Sequence, residues 1–137
     1  MRSYLKNLEC TYCNEIFSAD QPRRLCEKCG KVLYPRYDMK EASKYFTKDL
    51  LSARPPNMWR YFEMLPVYDE SNIVTLGEGF TPIFETRRLG SELGSESLML
   101  KDEGLNPTAS FKARGLSAAV SKAKELGLRK LTMPSAG

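Results

Sequence analysis

Apolar and polar positions alternate in three different ways along this chain of 137 residues. Up to about Asp38 the apolar residues stand singly or in pairs among polar ones. Leu8 and the run Leu33-Tyr34-Pro35-Arg36-Tyr37-Asp38 read there as short strands. A polar, lysine-bearing connector comes next, through about Lys48, and Arg54-Pro55-Pro56-Asn57 then breaks the chain, because consecutive prolines stop a helix and favour an extended path. The densest apolar segment is Met58-Trp59-Arg60-Tyr61-Phe62-Glu63-Met64-Leu65, and it is expected to dock onto the next domain through Trp59 and Phe62.

From Leu98 the pattern becomes that of a βαβ unit. Leu98-Met99-Leu100 reads as a short buried strand. Leu116, Ala119, Val120, Ala123 and Leu126 then recur at three- and four-residue intervals, which predicts a helix with one apolar face. Thr108 or Ser110 can cap its start and Gly127 can end it. Lys130-Leu131-Thr132-Met133-Pro134 reads as the next strand, parallel to the first, and the loop after it would lie at the carboxyl edge of the sheet, where open α/β folds bind ligands. The expected fold class is α/β: a small N-terminal cysteine module, then the incomplete start of an open parallel α/β domain. The expected units are residues 1–38, a connector and docking segment over 39–68, and the α/β part over 69–137.

Composition adds exclusions. With 42% hydrophobic and 28% charged residues the chain is neither disordered nor repetitive. No apolar run approaches the roughly 20 residues that cross a bilayer, so no membrane partner is expected. Met1-Arg2-Ser3-Tyr4-Leu5-Lys6 is basic but precedes no apolar core or cleavage site, which points to the cytoplasm. The formal charge of +4 is compatible with phosphorylated ligands and decides nothing by itself. The absence of histidine removes Ser-His-Asp and Cys-His systems, His-ligated metals and His bases from this segment.

All four cysteines fall in the first 29 residues, as Cys10-Thr11-Tyr12-Cys13 and Cys26-Glu27-Lys28-Cys29. Each pair puts two thiolates on one side of a turn, a spacing that suits tetrahedral Zn(II) on Cys10, Cys13, Cys26 and Cys29 in a structural zinc ribbon. Asn14 and Gly30, just after the pairs, are the residue types that most readily take the left-handed conformation such turns need. Two disulfides would need an oxidising compartment, and a redox pair would leave one Cys-x-x-Cys idle. So small a module has too little core to fold unaided, and metal binding would contribute directly to its folding. Arg23, Arg24, Lys28, Lys31 and Arg36 make it basic, but without an interleaved stacking array a solvated surface is favoured over nucleic-acid binding.

The chemistry concentrates at Lys112, in the first turn of the predicted helix. Unpaired amides and the positive end of the helix dipole disfavour its charged form there, and burial would act in the same direction, toward a nucleophilic amine. Arg114 can add to this effect or bind an anionic group. Upstream, Leu76-Gly77-Glu78-Gly79-Phe80-Thr81-Pro82-Ile83 is a loop whose glycines let backbone approach a ligand closely.

The run Asn106-Pro107-Thr108-Ala109-Ser110-Phe111-Lys112-Ala113-Arg114-Gly115 resembles the Asn-Pro-Thr-x-Ser-Phe-Lys-x-Arg-Gly segment of the tryptophan-synthase-β-like pyridoxal-phosphate enzymes. With the cysteine module, the loop from Leu76 to Ile83 and the stretch from Thr132 to Gly137 in the same order, the chain is similar to the N-terminal part of the threonine synthases. Many relatives have aspartate where this chain has Ala113, although alanine also occurs in ribbon-bearing members. The resemblance implies a pyridoxal 5'-phosphate enzyme that converts O-phospho-L-homoserine and water to L-threonine and phosphate. Lys112 would be its Schiff-base lysine, with Asn106, Ser110, Ser135 and Gly137 as cofactor-binding residues and the substrate a small phosphorylated amino acid. It also implies that the phosphate-binding loop and the residue facing the pyridine nitrogen lie past Gly137, that the chain is inactive alone, and that the full-length protein is a homodimer. A cysteate synthase or threonine dehydratase of the same group, and a stand-alone zinc-ribbon binding protein, are the alternatives.

Overall fold

The computed structural model describes residues 1–133. Near its N-terminus β1 (Leu5–Cys10) is the central strand, flanked by β2 (Ile16–Phe17) and β3 (Leu33–Tyr37), both antiparallel to it. Both strands expected from the pattern are present, and β2 is too short to leave one. Leu8 lies opposite Phe17 on one side and Pro35 on the other. A proline, with no N–H to donate, is tolerated there because β3 is an edge strand.

The connector is more structured than its polarity suggests. It folds into α1 (Met39–Tyr45) and α2 (Lys48–Ser52). The Asp38 carboxylate accepts from the Glu41 amide at 3.0 Å, and Thr47 Oγ1 accepts from the Leu50 amide at 3.2 Å. These caps satisfy amides that a helix start leaves open, so two short helices form without an apolar stripe. Ala42 is the one buried residue the two helices contribute.

The core is Met58, Trp59, Phe62 and Val67, with Leu65, Ile73 and Ala118 packed against it. Met58–Met64 forms 3-10 turns kinked at Tyr61. Trp59 and Phe62 are both buried in this core, and complete burial of Phe62 contributes roughly 2–3 kcal/mol. Backbone and side chains tie this core to the cysteine-bearing sheet: the Tyr4 amide donates to Glu63 O at 2.9 Å, Ser3 Oγ to Leu65 O at 2.5 Å. Beside them Arg54 and Glu63 form a two-pronged ion pair of 2.6 and 2.7 Å.

Beyond the core lie β4 (Ile83–Glu85), α3 (Arg87–Glu92), β5 (Met99–Lys101) and α4 (Lys112–Glu125). Here the structure corrects three expectations. β5 pairs with β4, antiparallel, with Ile83 opposite Lys101 and Glu85 opposite Met99. Lys130–Met133 is exposed and joins no ladder among the described residues, while Pro134 lies outside them. A strand pattern records propensity, whereas a ladder also needs a facing edge, and that is a matter of tertiary placement. The parallel βαβ unit is therefore absent from the described residues. The buried face of α4 is also not the predicted stripe: Ala113, Ser117, Ser121 and Ala123 are buried, whereas Ala119 is exposed. Ser117 and Ser121 can turn inward because their hydroxyls are satisfied there, Ser117 Oγ donating to Val74 O at 2.7 Å and Ser121 Oγ accepting from the Val74 amide at 2.8 Å. Leu116 and Val120 instead line a cavity of about 160 Å³ with Val74, Leu76 and Thr108. The helix ends where expected: the Gly127 amide bonds Lys124 O and the Leu128 amide bonds Ala123 O, the paired closure of a Schellman turn. Among the described residues no helix is long and apolar enough to cross a membrane.

Candidate functional site

The two Cys-x-x-Cys segments fold as two copies of one turn. In the first the Cys10 amide donates to Glu15 O at 2.9 Å, and in the second the Cys26 amide donates to Lys31 O at 2.8 Å. Each turn passes through a left-handed residue, Asn14 at φ 59° and Gly30 at φ 69°, as the sequence anticipates. Thr11 fastens one turn to the other through its amide and hydroxyl, each 3.0 Å from Val32 O. The four Sγ atoms lie within 4.8 Å of one another, and three pairs stand at 3.4, 3.5 and 3.6 Å. A tetrahedral ion with metal–sulfur bonds of about 2.3 Å sets its sulfurs about 3.8 Å apart, so this donor set fits one. The electrostatics agree. Burial works to raise Cys10, but the amides of Cys13 and Tyr12 outweigh it and bring the thiol down to about 6. The Glu15 amide works to lower Cys13, but burial and the three neighbouring sulfurs push it up to about 12. Four thiols this close cannot all ionise without a cation among them.

The second cluster is built around Glu103 and the glycine loop. Gly79 sits at φ 100° with its Cα so close to the next segment that a Cβ would stand 2.6 Å from the Met58 nitrogen. Its amide donates to Asn106 Oδ1 at 3.0 Å. Asn106, 4% exposed, gives both amide hydrogens away, to Glu103 O and to Glu103 Oε2, each at 2.9 Å. Glu103 also accepts from Thr81 Oγ1 at 2.7 Å and from Arg114 Nε and Nη2 at 2.7 and 2.8 Å. Lys101 Nζ closes the set by donating to Thr81 O at 2.8 Å. The Arg114 guanidinium, helped by Thr81 and Asn106, holds the Glu103 carboxyl far below the usual carboxylate range. Arg114 is thus committed to Glu103.

Lys112 is the first residue of α4, half-buried, with its Nζ 5.8 Å from the centre of the Phe111 ring. Ser110 takes the place of a cap: its Oγ accepts from the Lys112 amide at 3.3 Å and its carbonyl from the Ala113 amide at 3.2 Å. The preceding turn is closed by the Ala109 amide on Asn106 O at 2.8 Å. The structure thus brings Asn106, Ser110 and Lys112 onto one short stretch, with Asn106 directing its donors into the protein. Ser135 and Gly137 lie outside the described residues.

The residues that sequence reading passed over are carboxylates. Glu78 is 1% exposed and accepts from Trp59 Nε1 at 3.2 Å, Thr75 Oγ1 at 2.9 Å and the Leu76 amide at 2.9 Å. Burial works to raise it, but its donors, Ser117 foremost, outweigh that and leave it below its ordinary value. Glu78 stands inside the glycine loop, and Glu103 stands just ahead of Asn106. The available signal was Arg114, a charge beside the key lysine that needed a partner.

Residues 74–137 match the sequence profile described as pyridoxal-phosphate dependent enzyme. The chain is similar to the threonine synthase of Methanocaldococcus jannaschii, 41% identical over 128 residues that cover 93% of this chain and 31% of that protein. It is similar to the threonine synthase of Methanosarcina acetivorans, 37% identical over 131 residues, 96% of this chain and 31% of that protein. With the threonine synthase of Halalkalibacterium halodurans it is 45% identical over 86 residues, 59% of this chain and 24% of that protein. The first two matches take in the cysteine-bearing segment as well as Lys112, and the chain spans about a third of the length of those relatives.

Proposed function

We propose, on the premise that residues 74–137 belong to the pyridoxal-phosphate dependent enzymes, that this chain serves a threonine synthase, contributing its cofactor lysine and a structural zinc module. The reaction converts O-phospho-L-homoserine and water to L-threonine and phosphate. The observation that carries this reading is the place of Lys112, at the head of a fourteen-residue helix behind a turn closed by Ser110. The fit to the cofactor is one of position: a half-buried amine at a helix start, beside a glycine loop that comes within contact distance of a second segment.

The cofactor, when bound, supplies an electron sink for charge developing on the substrate. Lys112 holds it through Nζ and moves protons at the substrate's α- and β-carbons. Ser110 orients the Lys112 backbone, Asn106 fixes the loop behind it, and Ser135 and Gly137 complete the contacts to the cofactor. Cys10, Cys13, Cys26 and Cys29 hold Zn(II), four protein ligands leaving no open position, so that this metal is structural. The reading carries with it the cytoplasm, a reducing compartment in which such thiolates stay available.

The test is a chimera in which residues 1–137 replace the matching segment of the Methanocaldococcus relative. It is expected to release phosphate from O-phosphohomoserine, with Lys112→Ala abolishing release, whereas residues 1–137 alone release none. Phosphate release that survives Lys112→Ala, or a chimera active on phosphoserine or threonine instead, would sink the assignment.

A further inference from the structure

The stretch that carries Lys112 begins at Asn106 and ends at Arg114, the third residue of α4, and a single carboxylate holds both ends. Glu103 Oε2 accepts from Asn106 Nδ2 at 2.9 Å and from Arg114 Nε at 2.7 Å, and Oε1 accepts from Arg114 Nη2 at 2.8 Å. The same Oε1 accepts from Thr81 Oγ1 at 2.7 Å, and Asn106 Oδ1 binds the Gly79 amide, so the glycine loop is held by the same two residues. Between the two anchored ends the backbone has little slack. Ala109 and Asn106 close a turn, Ser110 bonds the Lys112 and Ala113 amides, and the Arg114 amide bonds Phe111 O at 3.2 Å.

We propose that Glu103 is a positioning residue for Lys112, bracing both ends of the 106–114 loop and fixing it against the glycine loop. This rests on the reading of Lys112 as the cofactor lysine. A planar guanidinium gripped by two carboxylate oxygens has one permitted orientation, so the brace fixes angle as well as distance. An amine that must meet an aldehyde depends on such placement, since small displacements cost large factors in rate. Glu103 has no need to touch the cofactor.

The experiment uses the intact chain and pyridoxal 5'-phosphate. The Lys112 amine condenses with the aldehyde and loses water, and borohydride adds hydride to fix the link as a secondary amine. Peptide mass analysis then compares label on Lys112 with label on the exposed Lys6 and Lys40 across pH. In the unaltered chain Lys112 is expected to lead. In Glu103→Gln the plateau of Lys112 labelling should fall roughly tenfold against Lys6 and Lys40, with the far-UV spectrum unchanged. A purely electrostatic role would instead leave the plateau alone and shift the midpoint to lower pH, because the unopposed Arg114 charge favours the neutral amine. Thr81→Val removes one bond to Glu103 without changing charge, should lower the plateau by roughly two- to threefold, and keeps the test open should Glu103→Gln misfold. Unchanged plateaus in both variants would overturn the positioning role while leaving the cofactor lysine standing. An unaltered chain in which Lys112 is labelled no faster than Lys6 and Lys40 would overturn the reading of Lys112 itself.

Discussion

Around Cys10, Cys13, Cys26 and Cys29 four side chains from two copies of one turn converge within 4.8 Å, while their apolar neighbours Tyr12, Ile16 and Val32 stay 60% or more exposed. Around Glu103 the convergence is of another kind: Thr81 from the glycine loop and Asn106 and Arg114 from the two ends of another stretch reach one carboxylate, beside a core in which Phe62 and Val67 are fully buried. The first region has ligands and almost no core. The second has a core and a polar network whose members are useless singly. The first therefore depends on whatever ion unites its thiolates, and the second on many contacts that fail by degrees.

The sharpest way to separate the regions is to deny the four cysteines the metal proposed for them. A chelator at neutral pH, or Cys13→Ser, is expected to unfold β1, β2 and β3, since a structural zinc supplies on the order of 10 kcal/mol to so small a module. Amide exchange over residues 5–37 should rise sharply. Trp59, the single tryptophan, is buried against Ser117 and Glu78 and reports the other region. Its emission should hold steady. A red shift of Trp59 on chelation would mean that the two regions stand or fall together through Tyr4, Ser3 and the Arg54–Glu63 pair.

Next in size is Gly79→Ala. The added methyl would meet the Met58 backbone nitrogen at 2.6 Å at a φ that L-residues avoid, and about 2–4 kcal/mol of stability should be lost. Thermal unfolding followed at Trp59 measures it. A loss below about 1 kcal/mol would show that Met58 and the glycine loop can move apart, and the close approach would not be what holds the second region.

The two regions also differ in how far the sequence discloses them. The cysteine cluster is local: two cysteines three positions apart share a turn whatever the rest of the chain does, and Asn14 and Gly30 mark where that turn reverses. The helix that begins at Lys112 and ends before Gly127 was legible for a related reason, being written within one continuous stretch. Glu103 was not, because its partners lie 22 residues before it at Thr81 and 11 after it at Arg114. Ser117 and Ser121 misled for the opposite reason. Their type signals solvent, and the partners that make their burial tolerable, the Val74 backbone and for Ser117 also the Trp59 indole, are far off in sequence. The antiparallel pairing of β4 with β5 was missed because strand direction belongs to the path between strands and leaves no trace in either one.

Trp59→Phe probes the polar side of the second region more gently. It keeps the ring in the core and deletes the donor that serves both Glu78 and Ser117, which should cost about 1–2 kcal/mol. Acid should do the same to its carboxylates. Glu78 and Glu103 both titrate below their ordinary 4.5 in the folded protein, so their contribution is complete at neutral pH and is lost as pH falls below that value. Denaturant midpoints for the Trp59→Phe variant, read by circular dichroism at pH 7 and pH 4, should lie closer together than those of the unaltered chain. Equal spacing would mean that Glu78 holds its charge without the indole.

The smallest expected effect runs in the other direction. Ala109 stands at φ 54° on the exposed turn that leads to Lys112, with its amide tied to Asn106 O. An L-residue held in that region costs about 1–2 kcal/mol, and glycine there costs none but gives up about 0.5–1 kcal/mol more chain entropy on folding. Ala109→Gly should therefore stabilise the second region by about 0.5–1 kcal/mol and leave amide exchange in the cysteine-bearing sheet unchanged. Because the Ala109 side chain points to solvent, no lost packing opposes this gain. Destabilisation would mean that the methyl limits the turn to the conformation Asn106 needs, and that rigidity between Asn106 and Lys112 matters more than the strain it carries.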